Sequence, residues 1–353
     1  MVADLAAAPS VLVALVLLVD RIPLPDPPPK RARGRPKVYP DRLFLKALVI
    51  MIVRHLSRVG TLLAVLAEPT PEVAHLRALL TEDGRFPSRR TWERRLRAIP
   101  QTLPAQIGCL GRALAAVLLP WAGCGRAVAI DSTALRASGG VWHTKDRAAG
   151  VVPHTSIDTE AHWTHSGWHG WVYGYKLHLA TTVAAVWIPL AARLTPANRA
   201  DNEEAPTLLA DLPAAVRFVL GDVHYADPAL LRELPDEARY VLGDLHYNAP
   251  DVRRACAAAD RTLITPRYGP YPHPDAGVEV RRVFHTLRSV AIEAFNEQFK
   301  GIFGGHAQVP TKGLVNTRRF ALAAVFVYQL ALLFRFEHQL DLRVGLKAFL
   351  CAA

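Results

Sequence analysis

Four stretches carry the residue types that could do chemistry together. "RAVAID" (Arg126 to Asp131) is an apolar run that ends in Asp131, with Ser132 and Thr133 after it. "RFVLGDVHYAD" and "RYVLGDLHYNA" each end a similar run in Gly-Asp, which gives Asp222 and Asp244, 22 residues apart. In "GVEVRRVFHTLRSVAIEAFNEQFKGIFGG" a helix is expected from about Val278 to Phe303, and it carries Glu293 with Lys300 seven residues on. Seven residues is two helical turns, so both side chains share a face. Aspartates at the ends of neighbouring buried strands, with a glutamate on a packed helix, form a carboxylate cage. Such a cage would repel itself unless filled, and it suits two Mg²⁺ (or Mn²⁺) ions about 4 Å apart. One ion activates water or a 3′-hydroxyl and the other stabilises the leaving oxygen of an in-line phosphoryl transfer. Lys300 would then face a phosphate.

Other residues compete for these roles. Glu297 lies one turn beyond Glu293 but has no lysine seven residues on. Asp158, Asp201 and Glu203 read as loop or helix-cap carboxylates. His178, His224 and His246 sit on or just past strands, where a satisfied structural histidine is the commoner outcome. Trp142, Trp163, Trp168 and Trp171 cluster after the first strand; they could pack a loop or stack on frayed bases.

The elements that must position these residues follow from the pattern. Strand one ends at Asp131, and "GWVYGYKLHLATTV" and "AAVWIPLAARLTP" read as strands two and three, joined by a tight turn. "ADNEEAPTLLADL" reads as a helix, then come the two Gly-Asp strands, a strand at "RTLITP" and a loop at Pro266–Gly277. Three antiparallel strands followed by alternating helices and strands predict a mixed α/β sheet. The repeat extends beyond the strands. "APTLLADLPAAVRFVLGDVHYA" (Ala205 to Ala226) and "DPALLRELPDEARYVLGDLHYN" (Asp227 to Asn248) correspond along their whole length, as a tandem duplication of one helix–strand unit would. The surplus unit must add to the sheet or loop out. Both flanks survive a duplication, so both aspartates stay candidates.

The rest of the chain is helical and basic. In the 353 residues the formal net charge is +11, and 16 Lys and Arg against 6 Asp and Glu between Lys30 and Arg97 hold +10 of it. Clustered cations gain affinity for a polyanion by releasing condensed counterions, which points to nucleic acid. "RGRPK" places Arg33, Arg35 and Lys37 in a proline-rich linker and resembles an AT-hook. "PSRRTWERRLRAI" predicts a helix capped by Ser88 that exposes Arg89, Arg90, Arg94, Arg95 and Arg97, as a helix-turn-helix module would. The apolar runs Leu5–Val19 and Phe320–Phe334 read as buried helices, because neither supplies about 20 uninterrupted apolar residues. Cys109, Cys124, Cys256 and Cys351 form no CxxC pair, against a zinc site or disulfide framework.

Together "AIDSTALRASGGVWHTKDRAAG", "GYKLHLATT", "LTPANRADNEEAP", "LGD.HY" and "AIEAFNEQFK" resemble the DDE transposases of bacterial insertion sequences, roughly over Ala127 to Phe336. The "RGRPKVYPDRLFLKALV" and "PSRRTWERRLRAI" segments resemble the helical N-terminal domain of the same enzymes. The resemblance implies a ribonuclease-H-like mixed sheet flanked by helices, preceded by an all-α DNA-binding region. It implies metal-dependent cleavage and joining at the element's inverted-repeat ends, with two Mg²⁺ or Mn²⁺ ions. Asp131 matches the first aspartate, Glu293 the glutamate and Lys300 the lysine of the E-x6-K signature. The continuation after Asp244 is the more family-like, which favours it over Asp222 as the second aspartate. The family's arginine stands four residues before its glutamate, whereas Arg288 stands five before Glu293. DNA contacts are expected from Arg33, Arg35, Lys37, Arg89, Arg90 and Arg94, and near the site from Lys176, Arg288 and Lys300. The expected partners are double-stranded DNA (element ends and target) and a second copy of the chain, with no membrane, in a nucleoid-associated cytoplasmic setting. The expected divisions are 1–40, 41–122, 123–340 and 341–353, with the duplication at 205–248 and no large insertion before the glutamate helix. A decayed copy that only binds DNA, or a nuclease on the same fold, are the alternative readings.

Overall fold

The computed structural model describes residues 10–25, 38–151, 153–154, 156–167, 170–210, 212–265, 282, 285–304, 306–343 and 345–351. Arg33, Arg35, Lys37, Trp168 and the 266–277 loop lie outside them, as does any test of an insertion there.

A seven-stranded mixed sheet organises the middle of the chain. Its strands are β1 (Ala127–Arg136), β2 (His162–Ser166), β3 (Gly170–Thr182), β4 (Pro189–Pro196), β5 (Phe218–Leu220), β6 (Tyr240–Leu242) and β7 (Thr262–Ile264). β3 is antiparallel to β1 along one edge, while β2 and β4 share its other edge. β5 lies parallel to β1 on the far side, followed outward by β6 and β7, also parallel. β3 is buried almost throughout, which is why "VYGYKLHLATT" reads as a near-continuous apolar run rather than an alternating one. The surplus unit of the duplication adds a strand instead of looping out. Leu220 pairs with Leu242, and Phe218 stacks on Tyr240 with ring centres 4.7 Å apart, so equivalent residues of the two copies are neighbours.

Helices precede, interrupt and follow the sheet. α1 (Val11–Leu18), α2 (Asp41–Val53), α3 (Val59–Val65), α4 (Pro71–Leu79), α5 (Arg89–Ala98) and α6 (Leu103–Ala122) come before it. α7 (Thr144–Ala148), α8 (Asp201–Leu209), α9 (Pro228–Glu233) and α10 (Pro250–Ala258) connect its strands, and α11 (Ala294–Phe303), α12 (Leu314–Glu337) and α13 (Leu346–Cys351) follow. α12 is the axis of the packing. Ala321 to Leu332 are buried all round, in a helix packed against α1, α2, α5, α6 and β4. Inside that apolar surface Gln329 donates from Nε2 to the carbonyls of Ile107 (2.8 Å) and Pro189 (2.7 Å), which ties α6 and β4 to α12. By length and composition α6 and α12 could each cross a bilayer; 78% of the apolar window of α12 is buried inside the protein.

Candidate active site

Register places the first two carboxylates. Ala129 of β1 pairs with Leu220 of β5, and Leu220 pairs with Leu242 of β6. Asp131, Asp222 and Asp244 are each two residues further on, so they follow one another across three adjacent parallel strands. β5 and β6 stop short of their aspartates, whereas β1 does not end at Asp131 as expected: it runs on to Arg136, because its other edge stays paired with β3. Strands lie about 4.8 Å apart, so Asp222 is one spacing from Asp131 and Asp244 is roughly two. The cleft of about 620 Å³ at this edge is lined by Asp131 and Asp222, together with Glu293, Asn296, Glu297 and Lys300. Asp244 is not among its lining residues. The first copy takes the slot beside β1 and the second is stacked outside it, so it is Asp222, and not the favoured Asp244, that shares the cleft with Asp131. Local similarity after each copy carries no information on that order.

The rest of the repeated "GD.HY" serves packing. A Cβ on Gly243 would stand 2.1 Å from Cγ of Tyr247, and one on Gly221 would stand 2.6 Å from the Tyr247 hydroxyl. Tyr225 and Tyr247 are buried beneath the strand ends, so each glycine is where the chain passes over a tyrosine. The backbone N–H of His224 donates to Asp222 Oδ1 at 3.0 Å and orients that carboxylate. His224 itself is exposed at the cleft. The His246 side chain lies outside the described ones.

A π-helical turn, Ser289–Glu293, leads into α11. Such a turn closes i to i+5 instead of i to i+4 and accommodates one extra residue without rotating its ends off a common face. That accounts for the spacing of five between Arg288 and Glu293. Arg288 Nη2 is 3.4 Å from Asp222 Oδ2 and 3.6 Å from Asp131 Oδ1, and its Nε is 3.8 Å from Glu293 Oε1. Asn296, one turn past Glu293, donates from Nδ2 toward Asp131 Oδ2 at 3.5 Å, a long contact. Its buried Oδ1 has no hydrogen-bond partner among the described residues.

Electrostatics follow from the burial. Burial pushes the Asp131 carboxyl up to about 7; Arg288 opposes this and Asp222 adds to it. Asp222 is raised for the same first reason, with Arg288 and His224 opposing. Burial pulls the Arg288 guanidinium down, and Asp131, Asp222, Glu293 and Asp244 more than reverse this. The Lys300 ammonium is lowered by burial, partly offset by Glu297 and Asp131. Glu297, whose side chain is 65% exposed, faces His306 at 3.8 Å.

Other expected contacts divide in two. Lys176 lines the cleft, where its Nζ is 3.1 Å from Asp201 Oδ1, so the supposed helix cap Asp201 belongs to the cleft too. Buried His178 lies behind them, bonded to Thr195 Oγ1 at 2.8 Å. On α5, Ser88 accepts from the N–H of Thr91, Trp92 and Leu96 are buried, and Arg89, Arg90, Arg94 and Arg97 are exposed. Arg95 departs from expectation: it pairs with Asp41 and stacks over the Phe44 ring at 4.5 Å, which makes it part of the helix packing. Trp163 and Trp142 pack the loop, with Trp163 Nε1 donating to the Trp142 carbonyl at 2.9 Å, while Trp171 is 68% exposed. Sequence reasoning missed Asn296, whose only signal was its place three residues after Glu293. It also missed the Thr164–Gly167 hairpin that lines the cleft.

The donor set around Asp131, Asp222 and Glu293 is all oxygen, which suits a hard divalent cation such as Mg²⁺ or Mn²⁺. As placed, no three His, Cys, Asp or Glu side chains among the described residues stand close enough to hold one ion. Arg288 stands among the three instead. No curated protein matches the chain. Residues 122–268 match the family model of the transposase DDE domain, a span that contains Asp131, Asp222 and Asp244 and ends before Glu293. Over residues 122–268 the chain is therefore similar to a transposase DDE domain, and Asp131 and Asp222 of that span line the same cleft.

Proposed function

We propose that the protein cuts DNA at the ends of an insertion element and joins them to a target, with Asp131, Asp222 and Glu293 as the catalytic carboxylates. The observation that carries this reading is that Asp131 and Asp222 each lie two residues past a paired position of the adjacent parallel strands β1 and β5 and line one cleft with Glu293. Those three carboxylates, with Asn296 beside them, would hold two divalent ions, and the ions when bound would activate the attacking oxygen and stabilise the leaving one. The chain's own residues do the rest. Burial fixes the Asp131 carboxyl, His224 N–H orients Asp222, and Lys176 and Lys300 supply positive charge at the cleft for DNA phosphates. Three antiparallel strands followed by parallel ones across β1 support a ribonuclease-H-like core. The basic linker with Arg33, Arg35 and Lys37 and the exposed Arg89, Arg90 and Arg94 would hold double-stranded DNA beyond the cleft. Two ends must be brought together, which calls for a homodimer, and the setting is the nucleoid.

The test is cleavage and strand transfer on DNA carrying the element's inverted repeats, in Mg²⁺ or Mn²⁺, for the wild type and Asp131→Asn. Activity in the wild type and its loss in the variant support the reading. A wild type that binds the ends but cuts nothing is a decayed copy. Cutting without regard to the ends marks a nuclease on the same fold.

A further inference from the structure

We propose that Arg288 is a built-in counter-ion of the carboxylates which a divalent cation must displace, so that loading of the site is coupled to the arrival of DNA phosphates. This rests on the reading of Asp131, Asp222 and Glu293 as the metal-binding carboxylates.

Three observations carry it. The first is position: one guanidinium reaches Asp222 at 3.4 Å, Asp131 at 3.6 Å and Glu293 at 3.8 Å. A divalent ion held by the two aspartates would take the space against their oxygens that those contacts enclose. Two cations cannot share it. The second is looseness. A guanidinium locked onto a carboxylate makes paired bonds of about 2.7–2.9 Å, and these are all longer. Arg288 Nε is buried with no hydrogen-bond partner, so charge rather than bonding holds it there. The third is that the neighbouring lysines, while adding charge to the cleft, do not stand between the three carboxylates as Arg288 does. Lys176 is held by Asp201 at 3.1 Å, and Lys300 is buried on α11 with Glu297 and Asp131 nearest in charge.

Displacing Arg288 leaves a half-buried guanidinium in need of an anion. A DNA phosphate accepts the paired N–H bonds that guanidinium offers, better than an ammonium would. Phosphate and divalent ion therefore favour each other: the phosphate removes the competitor of the metal, and the metal frees the partner of the phosphate. Such coupling is reciprocal by thermodynamic necessity. Its consequence is a site that stays poorly loaded until DNA is in place.

The experiment measures Mn²⁺ binding to the full chain by electron paramagnetic resonance, with no turnover required. Binding is read as the difference from Asp131→Asn, since DNA itself takes up Mn²⁺. Without DNA, Arg288→Gln is expected to bind Mn²⁺ at least about tenfold tighter than wild type, a factor typical of one coupled site. A blunt duplex of unrelated sequence is expected to tighten Mn²⁺ binding in the wild type by a similar factor and to have little effect in Arg288→Gln. Equal or weaker Mn²⁺ binding in a folded Arg288→Gln overturns the proposal. If that variant does not fold, absence of tightening by the duplex in wild type overturns it instead. Failure of the underlying reading looks different: no Asp131-dependent Mn²⁺ binding in any protein, with or without DNA.

Discussion

Asp131 and Asp222 each lie two residues past a paired position on adjacent parallel strands, and the Arg288 guanidinium reaches both. Asp244 holds the equivalent place one strand further out. Positional errors of about 1 Å can lose roughly 100-fold in rate, and the second copy is off by a whole strand spacing. Asp222→Asn is therefore expected to reduce strand cleavage by at least about 100-fold, whereas Asp244→Asn retains activity within about tenfold. Paired cleavage assays in Mn²⁺ decide this, and an inactive Asp244→Asn beside an active Asp222→Asn would reverse the assignment.

The raised Asp131 carboxyl predicts a pH-dependent stability. Its ordinary value is 3.8 and in the fold it is near 7, so between those values the folded chain holds a proton that the unfolded chain has released. Raising the pH across that window therefore favours unfolding, by up to about 1.4 kcal/mol per pH unit from this group, and the loss is complete above about pH 7. Asp131→Asn removes the ionisation. In chelator, thermal unfolding between pH 4.5 and 8.5 should fall more steeply for wild type than for the variant. Parallel curves would show that Asp131 carries no such burden.

Tight contact under the repeated Gly-Asp predicts asymmetric tolerance of alanine. Gly243→Ala drives a methyl into the Tyr247 ring, and Tyr247 is fully buried with little room to yield. Overpacking of this kind costs about 1–3 kcal/mol. At Gly60, in α3, an added methyl would meet nothing within 4 Å, and alanine there should stabilise by about 0.5–1 kcal/mol through helix propensity. Urea titration of the two variants measures both signs. A neutral Gly243→Ala would mean that Tyr247 moves freely.

What the residues announced and what they hid divide along physical lines. Helix caps and buried apolar runs are local, and the Ser88 cap, the apolar run before Asp131 and the apolar core of α12 were legible for that reason. The continuation of β1 past Asp131 to Arg136 is instead set by its pairing with β3. The choice between Asp222 and Asp244 depended on which copy sits beside β1, a long-range fact that two equivalent local sequences cannot encode. Arg288 was obscured by a single residue. A spacing of five breaks the α-helical rule of four, and only the π turn restores the common face. Arg95 looked like its exposed neighbours because its partners, Asp41 and Phe44, come from α2, some fifty residues earlier.

The arginines of α5 give the last prediction. Arg90 and Arg94 are exposed, whereas Arg95 is bound into the helix packing. If α5 meets the DNA backbone, Arg90→Ala with Arg94→Ala removes two phosphate contacts. The slope of log affinity against log salt concentration should then become shallower by about 1.8, at about 0.9 per contact. Surface changes of this kind leave stability within about 0.5 kcal/mol. Arg95→Ala should do the opposite: it loses the ring stacking and the ion pair, so thermal stability drops while the salt slope is kept. Fluorescence anisotropy with a labelled duplex between 50 and 200 mM salt separates the two outcomes, about the range over which such slopes are read. An unchanged slope in the double variant would move the DNA-binding face away from α5 and leave the cleft lysines to carry the backbone contacts.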